Sequence, residues 1–269
     1  MPMPELPSQS AIGEHPARRP AVIAGASAGI GAEIARTLGL GGYPVALGAR
    51  RVERCEEVAR EIRAGGGEAF AAPLDVADTA SVHAFAKAVT ERFGEIDIIV
   101  ANAGIMPSGS IVESDPDEFA ESLNINAVGV QRLVHALVPP MIARRRGDLV
   151  VISSEVVQQP RPYVGAYVAG KWAVEGLTRT LQMELEGSGV RVSVVRPGPT
   201  TSEIAAGWDM TNAMQVVKAG KKFGSLRHFN TLPATAIANT VAHVVGAPRG
   251  THIALSYVCP EAPIGEVNQ

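Results

Sequence analysis

Gly25-Ala26-Ser27-Ala28-Gly29-Ile30-Gly31 follows directly on the apolar run Ala21-Val22-Ile23-Ala24 and opens a helical pattern that runs to Leu40. A chain that turns this sharply from a buried strand into a helix needs room for its backbone and close helix-to-sheet packing. It also needs a surface that an anion can approach. Each need is met where a Cβ is missing. The helix start offers unpaired N–H groups and the positive end of its dipole, a setting suited to a pyrophosphate. Gly25, Ser27, Gly29, Ile30 and Gly31 are therefore candidate phosphate-binding residues, although the spacing is G-x-x-x-G-x-G rather than G-x-G-x-x-G.

Outward from this turn the same strand-then-helix unit repeats. Strands are expected at Pro44 to Ala49, Glu68 to Pro73, Ile96 to Ala101, Asp148 to Ser153, Val190 to Val195 and Thr251 to Tyr257. Helices are expected at Arg51 to Ala64, Thr79 to Phe93, Pro116 to Arg145 in two pieces, Val164 to Glu186 and Pro233 to Val245. Continuous apolar strands alternating with helices imply an α/β fold, a doubly wound parallel Rossmann-like sheet with helices on both faces. One domain accounts for residues 20–269. Residues 1–19, with Pro2, Pro4, Pro7 and Pro16, read as a flexible arm, and Ser202 to Asn230 as an irregular substrate cover.

Composition narrows the function classes. Of 269 residues, 46% are hydrophobic and 19% charged, ordinary for a soluble globular protein, and a net charge of −3 gives no footprint for nucleic acid. The basic run Arg144 to Arg146 reads as a helix C-terminus. No apolar run approaches the about 20 residues of a bilayer span, and no signal peptide is evident. Cys55 and Cys259 form no disulfide framework, which points to a reducing, cytoplasmic compartment. His83, His135, His228 and His252 lack ligand spacing, so no metal is expected.

Further along the chain come Leu74-Asp75-Val76, Ala101-Asn102-Ala103-Gly104, Asn126-Ala127-Val128-Gly129, Ser154, Tyr167 with Lys171, and Pro197-Gly198. Together with the glycine turn, and in this order, they resemble the short-chain dehydrogenase/reductase family. The resemblance implies an oxidoreductase that binds a nicotinamide dinucleotide. Asp75 and Val76 would contact adenine, and Asn102, Ala103 and Gly104 would line the ribose site. Pro197, Gly198, Thr200 and Ser202 would border the nicotinamide. Asn126 would hold a water that links Lys171 to solvent. Ala24 and Ala101 depart from the family, which often has Thr and Asn at these positions to tie the first and fourth strands.

Tyr167 and Lys171 are four residues apart and share a helix face. A free phenol titrates near about 10, so it is a poor acid or base at neutral pH, but a neighbouring ammonium favours phenolate. Tyr167 is thus the expected proton donor to a developing alkoxide, with Ser154 holding the carbonyl oxygen and Lys171 also gripping ribose hydroxyls. Ser153 competes with Ser154, but strand alternation sends the two to opposite sides, and the family's spacing selects Ser154. Glu155 reads as a solvated strand-end carboxylate and Asp97 as a structural acceptor.

At the end of the second strand, Leu47-Gly48-Ala49-Arg50-Arg51 carries no acid for a ribose 2′-hydroxyl but two guanidiniums suited to a 2′-phosphate. NADP(H) is the expected cofactor, with NAD(H) possible. The cover contains Ile204, Trp208, Met210, Met214, Val216, Phe223 and Phe229, which suggests a lipophilic carbonyl or alcohol substrate, unless these residues pack on the body or on another subunit. A non-catalytic dinucleotide sensor of the same fold is the alternative reading. Val134, Ala136, Leu137, Ala173, Val174, Leu177 and Leu181 make two helices apolar beyond one stripe, which suggests a homodimer or homotetramer.

Overall fold

The computed structural model describes residues 13–226 and 228–263. The first half runs β1 (Ala21–Ala24), α1 (Gly29–Leu40), β2 (Val45–Ala49), α2 (Val52–Ala64), β3 (Ala69–Pro73), α3 (Thr79–Phe93) and β4 (Ile98–Ala101). Then follow α4 (Pro116–Leu123), α5 (Gly129–Ala143), β5 (Gly147–Ile152), α6 (Gly165–Glu184), β6 (Val190–Pro197), α7 (Met210–Lys222), α8 (Ala234–Gly246) and β7 (Leu255–Val258). The strands form one parallel sheet in the order β3-β2-β1-β4-β5-β6-β7.

Alternation along the strands explains their continuous apolarity. Ala21 and Ile23 face a core shared with α1, α2 and α8, whereas Val22 and Ala24 face one shared with α3, α5 and α6. The strand order reverses between β1 and β4, so the crevice at their carboxyl ends is where a doubly wound sheet binds ligands. Ala24 and Ala101 stand opposite each other there. The tie expected from larger polar residues at these positions comes instead from Asn102, whose Nδ2 donates to the Gly25 carbonyl at 3.1 Å.

At the opposite edge, buried carboxylates anchor the strand starts. Asp97 accepts from Arg144 and Arg146, and Asp148 from Arg19 and Arg191. Asp97 is thus the structural acceptor that the sequence suggested, and Arg144 and Arg146 serve carboxylates rather than the helix dipole alone. Residues 1–12 of the expected arm lie outside the described residues. Its remainder is held to the body. Arg19 is buried and also donates to the Val245 carbonyl at 2.7 Å, while His15 bonds the Ala247 carbonyl at 2.9 Å.

Three further expectations change. The segment expected to be irregular contains α7, capped by Asp209, whose Oδ1 accepts from the Asn212 amide at 2.7 Å. Strand β6 continues to Pro197, and β7 begins at Leu255 rather than Thr251. The apolar surplus on the two long helices mostly faces their own sheet. Leu137 and Val174 are buried, and Val134, Ala136, Leu177 and Leu181 pack on the same core. Ala173 is exposed, and Trp172 and Met183 are the large apolar side chains that α6 exposes. Among the described residues no helix is long and apolar enough to cross a membrane, and no cluster of potential metal ligands occurs.

Candidate active site

Gly25 leaves β1 at φ +77°, and a Cβ there would lie 2.7 Å from the Ala103 Cα. Gly29 has φ +54° and faces Ser202. Gly31 has an ordinary backbone conformation, but a Cβ would collide with the Gly25 carbonyl oxygen and lie 2.6 Å from Asn102 Nδ2. It lets α1 seat on the sheet and does not itself line the cleft. Ala28 precedes α1 without a side-chain cap, so no side chain of its own satisfies the first-turn amides.

These elements floor a cleft of about 360 Å³. Gly25, Ser27, Gly29, Ile30, Arg50, Arg51, Asp75, Val76, Asn102, Ala103, Gly104 and Ser202 all line it, as expected. Asp75 spends Oδ1 on the Ala77 amide at 2.9 Å, which fixes the Val76 side of the wall. Arg51 donates to Ser27 Oγ at 3.2 Å and to Glu203 at 3.1 Å, and Arg54 also reaches Glu203. Hydrogen bonds from these two guanidiniums, Arg51 first, hold the Glu203 carboxyl below its usual range. Glu203 and Arg54 escaped the sequence reading. Arg54 lies three residues after Arg51 in the first turn of α2 and was findable, whereas nothing local marks Glu203.

Beyond Ile30, Asn102, Gly104, Ser202 and Ile204, the cleft continues into a second chamber of about 350 Å³. Ser154, Tyr167, Lys171, Pro197, Gly198 and Thr200 line this chamber and not the first. Ser154 follows β5 and accepts from the Val156 amide at 3.4 Å, capping a short 3-10 turn. Ser153 turns the other way and donates to Glu175 Oε1 at 2.7 Å, where Glu175 also holds Arg196. Its hydroxyl is spent, which leaves Ser154 as the serine at the end of β5 whose hydroxyl can serve the chamber.

Tyr167 and Lys171 are both buried on α6, with the Lys171 Nζ 5.5 Å from the centre of the Tyr167 ring. Lys171 Nζ donates to the Ile152 carbonyl at 2.7 Å. The expected lowering of the phenol by the ammonium is not met in the chain alone. Burial pushes Tyr167 up, against a hydrogen bond with Ser154 and the charge of Arg161. Burial also brings Lys171 down to about 8, opposed by Glu175. Desolvation dominates both groups, and what opposes it comes from their other neighbours rather than from each other.

Asn126 lies in a π turn, Asn124–Val128, between α4 and α5. Its Oδ1 accepts from the Ile105 amide at 3.0 Å, and its Nδ2 donates to the Ile105 carbonyl at 2.9 Å and Ser122 Oγ at 3.1 Å. The side chain therefore clamps the irregular segment that follows Gly104. Glu155 differs as well. It is buried and paired with Arg161 instead of solvated, because the 3-10 turn brings it under the Arg161 guanidinium. Trp208 Nε1 donates to the Met106 carbonyl at 2.7 Å, and Trp208 and Val216 pack beside Val156, Val164 and Tyr167. These cover the chamber, while Met210, Met214 and Phe223 are exposed.

Residues 19–213 match the family model described as short chain dehydrogenase. The chain belongs to the short-chain dehydrogenase/reductase family. Over 223 residues it is 35% identical to a 3-oxoacyl-[acyl-carrier-protein] reductase of Staphylococcus aureus, covering 82% of this chain and 88% of that protein. It is 34% identical over 241 residues to glycine betaine reductase of Emericella nidulans, covering 90% of this chain but 18% of that longer protein. Among solved structures, the alcohol dehydrogenase of Thermococcus sibiricus complexed with 5-hydroxy-NADP superposes with a TM-score of 0.76 at 34% identity. That match covers 90% of this chain and 96% of the other. A variant of the actinorhodin polyketide ketoreductase with NADPH gives 0.79 at 29% identity, with the same coverage of both chains. Short-chain dehydrogenase/reductases are oxidoreductases, and the doubly wound sheet seen here is their architecture.

Proposed function

We propose that this short-chain dehydrogenase/reductase transfers hydride between NADP(H) and a carbonyl or alcohol with an apolar body, with Tyr167 as acid/base. The observation that carries the reading is that Ser154, Tyr167 and Lys171 come together in the covered chamber, which meets the glycine-floored cleft across Ile30, Asn102, Gly104, Ser202 and Ile204. The cofactor fits the residues present. A Cβ at Gly25 would press on the Ala103 backbone and one at Gly31 would push α1 off the turn, so the shape of the cleft depends on both, and the uncapped start of α1 presents amides to an anion. Arg50 and Arg51 at the rim suit a 2′-phosphate, in keeping with the phosphorylated cofactors carried by the two neighbouring structures. Bound there, the dinucleotide supplies or accepts the hydride.

The chain's own residues then handle the proton and the geometry. Ser154 orients the carbonyl oxygen towards the Tyr167 hydroxyl, which donates its proton as charge develops on that oxygen. Raised by burial, Tyr167 is protonated at neutral pH, the form that reduction requires. Lys171, about 8 when the chain stands alone, carries its ammonium at pH 7 beside the ring. Val156, Val164, Trp208 and Val216 keep water from the reacting atoms and favour an apolar substrate.

Nicotinamide absorbance, followed with NADPH and with NADH over a panel of aldehydes, ketones and 3-oxoacyl thioesters, tests the reading. Turnover of at least one apolar carbonyl with NADPH is expected. Tight dinucleotide binding without turnover of any carbonyl or alcohol would instead favour a sensor.

A further inference from the structure

At the outer end of the dinucleotide cleft the charges are not explained by the end of β2 alone. Glu203 is far from Arg51 and Arg54 in sequence, yet its Oε2 accepts from Arg51 at 3.1 Å and from Arg54 at 2.9 Å. Its Oε1 accepts from Arg54 at 3.0 Å. The other Arg51 terminal nitrogen donates to Ser27 Oγ, 3.2 Å away in the glycine turn. Gly29 makes this possible, because a Cβ there would press to 3.1 Å from the Ser202 Cβ and lift the chain off the turn. Two guanidiniums thus converge on one carboxylate, and the Ser27 hydroxyl holds one of them in place. Forked donors of this kind hold phosphate as well as carboxylate.

Building on the NADP(H) reading, we propose that Glu203 is a specificity-determining residue whose carboxylate occupies the anion position a cofactor 2′-phosphate must take. Two negative groups cannot share those donors without mutual repulsion, so the phosphate displaces Glu203 from Arg51 and Arg54. Arg54, drawn to this point by Glu203, becomes a further phosphate ligand. With an unphosphorylated dinucleotide Glu203 keeps its place. It then offers the ribose the carboxylate acceptor that Ala49, Arg50 and Arg51 do not provide. Glu203 therefore compresses the preference for the phosphorylated cofactor from both sides. The ion pairs it breaks are exposed, and exposed pairs are weak, so the compression is modest.

Calorimetric titration of the intact chain with adenosine 2′,5′-bisphosphate and with 5′-AMP isolates this effect without any turnover. Glu203→Gln is expected to tighten the bisphosphate about five-fold and to leave 5′-AMP within about two-fold or weaken it. Arg54→Met is expected to weaken the bisphosphate selectively, though less than Arg51→Met. If Glu203→Gln changes neither probe while Arg51→Met weakens the bisphosphate alone, Glu203 has no part in selection and the phosphate site stands without it. If Arg51→Met weakens both probes equally, the 2′-phosphate reading falls and takes the proposal with it. The side chain is solvent-exposed, so Glu203→Gln retains the fold, and an unchanged thermal midpoint checks this.

Discussion

The two chambers of the cleft are built from different materials. The dinucleotide end is main chain and exposed charge. Gly25, Gly29 and the start of α1 shape it, and Arg50, Arg51 and Glu203 line its rim. The catalytic end is buried side chain, with Tyr167 and Lys171 both removed from water and Glu155 paired to Arg161 beside them. Shape and solvated charge can select a ligand without burdening the fold. The proposed chemistry at the other end would draw on desolvation, which moves both titrating groups away from their ordinary values and works against stability.

The sharpest way to separate the two chambers is Tyr167→Phe. The ring stays and only the hydroxyl leaves, so turnover is expected to fall by about a thousand-fold or more with cofactor affinity nearly unchanged. Stopped-flow turnover and fluorescence titration measure the two effects, and a loss of less than ten-fold would remove Tyr167 as the acid/base. In the dinucleotide chamber, Gly31→Ala meets backbone that cannot yield. It is expected to cost about 2–4 kcal/mol of stability and to weaken dinucleotide binding at least about ten-fold. Chemical denaturation and titration read these, and a stable variant with normal affinity would mean that α1 can shift freely on the sheet.

The smallest effect has the opposite sign. Lys171→Met removes a buried ammonium and is expected to raise stability by about 1–3 kcal/mol at pH 7 while abolishing turnover. The unfolded lysine holds its proton up to 10.5, but the folded one releases it at about 8. Between those values the unfolded state binds more protons, so the wild type gains stability as pH rises. The advantage of Lys171→Met should therefore shrink from pH 8 towards 10 in paired melting curves. A constant difference across that range would show that burial does not perturb Lys171.

What the sequence made legible follows the same division. The glycine turn and the Tyr167–Lys171 pair are read from short spacings, because strand and helix periodicity place neighbours in space, whereas Ser154 is picked out by the resemblance to the family. Glu203 and Arg51 are separated by 152 residues, and no local pattern joins them. Helix α7 was hidden because its apolar residues are interleaved with Lys218, Lys221 and Lys222 on a largely exposed helix. Glu155 looked solvated because it sits in a 3-10 turn and its partner, Arg161, in the irregular segment after it, where no helix or strand period joins the two. For Asn126 the clamp on the Ile105 backbone was not legible, since a π turn decides where the side-chain amide points.

The anchoring of Arg19 makes the lower rim of the sheet a long-range closure. Arg19 bonds Asp148 and the Val245 carbonyl, the latter 226 residues downstream, beside the start of the central strand β1. A guanidinium buried there meets both acceptors only once segments far apart in the chain have come together, and contacts of such sequence separation are slow to form. Losing the Val245 acceptor would leave a buried donor short of a partner at the base of the sheet, a fault at the opposite end from the glycine turn.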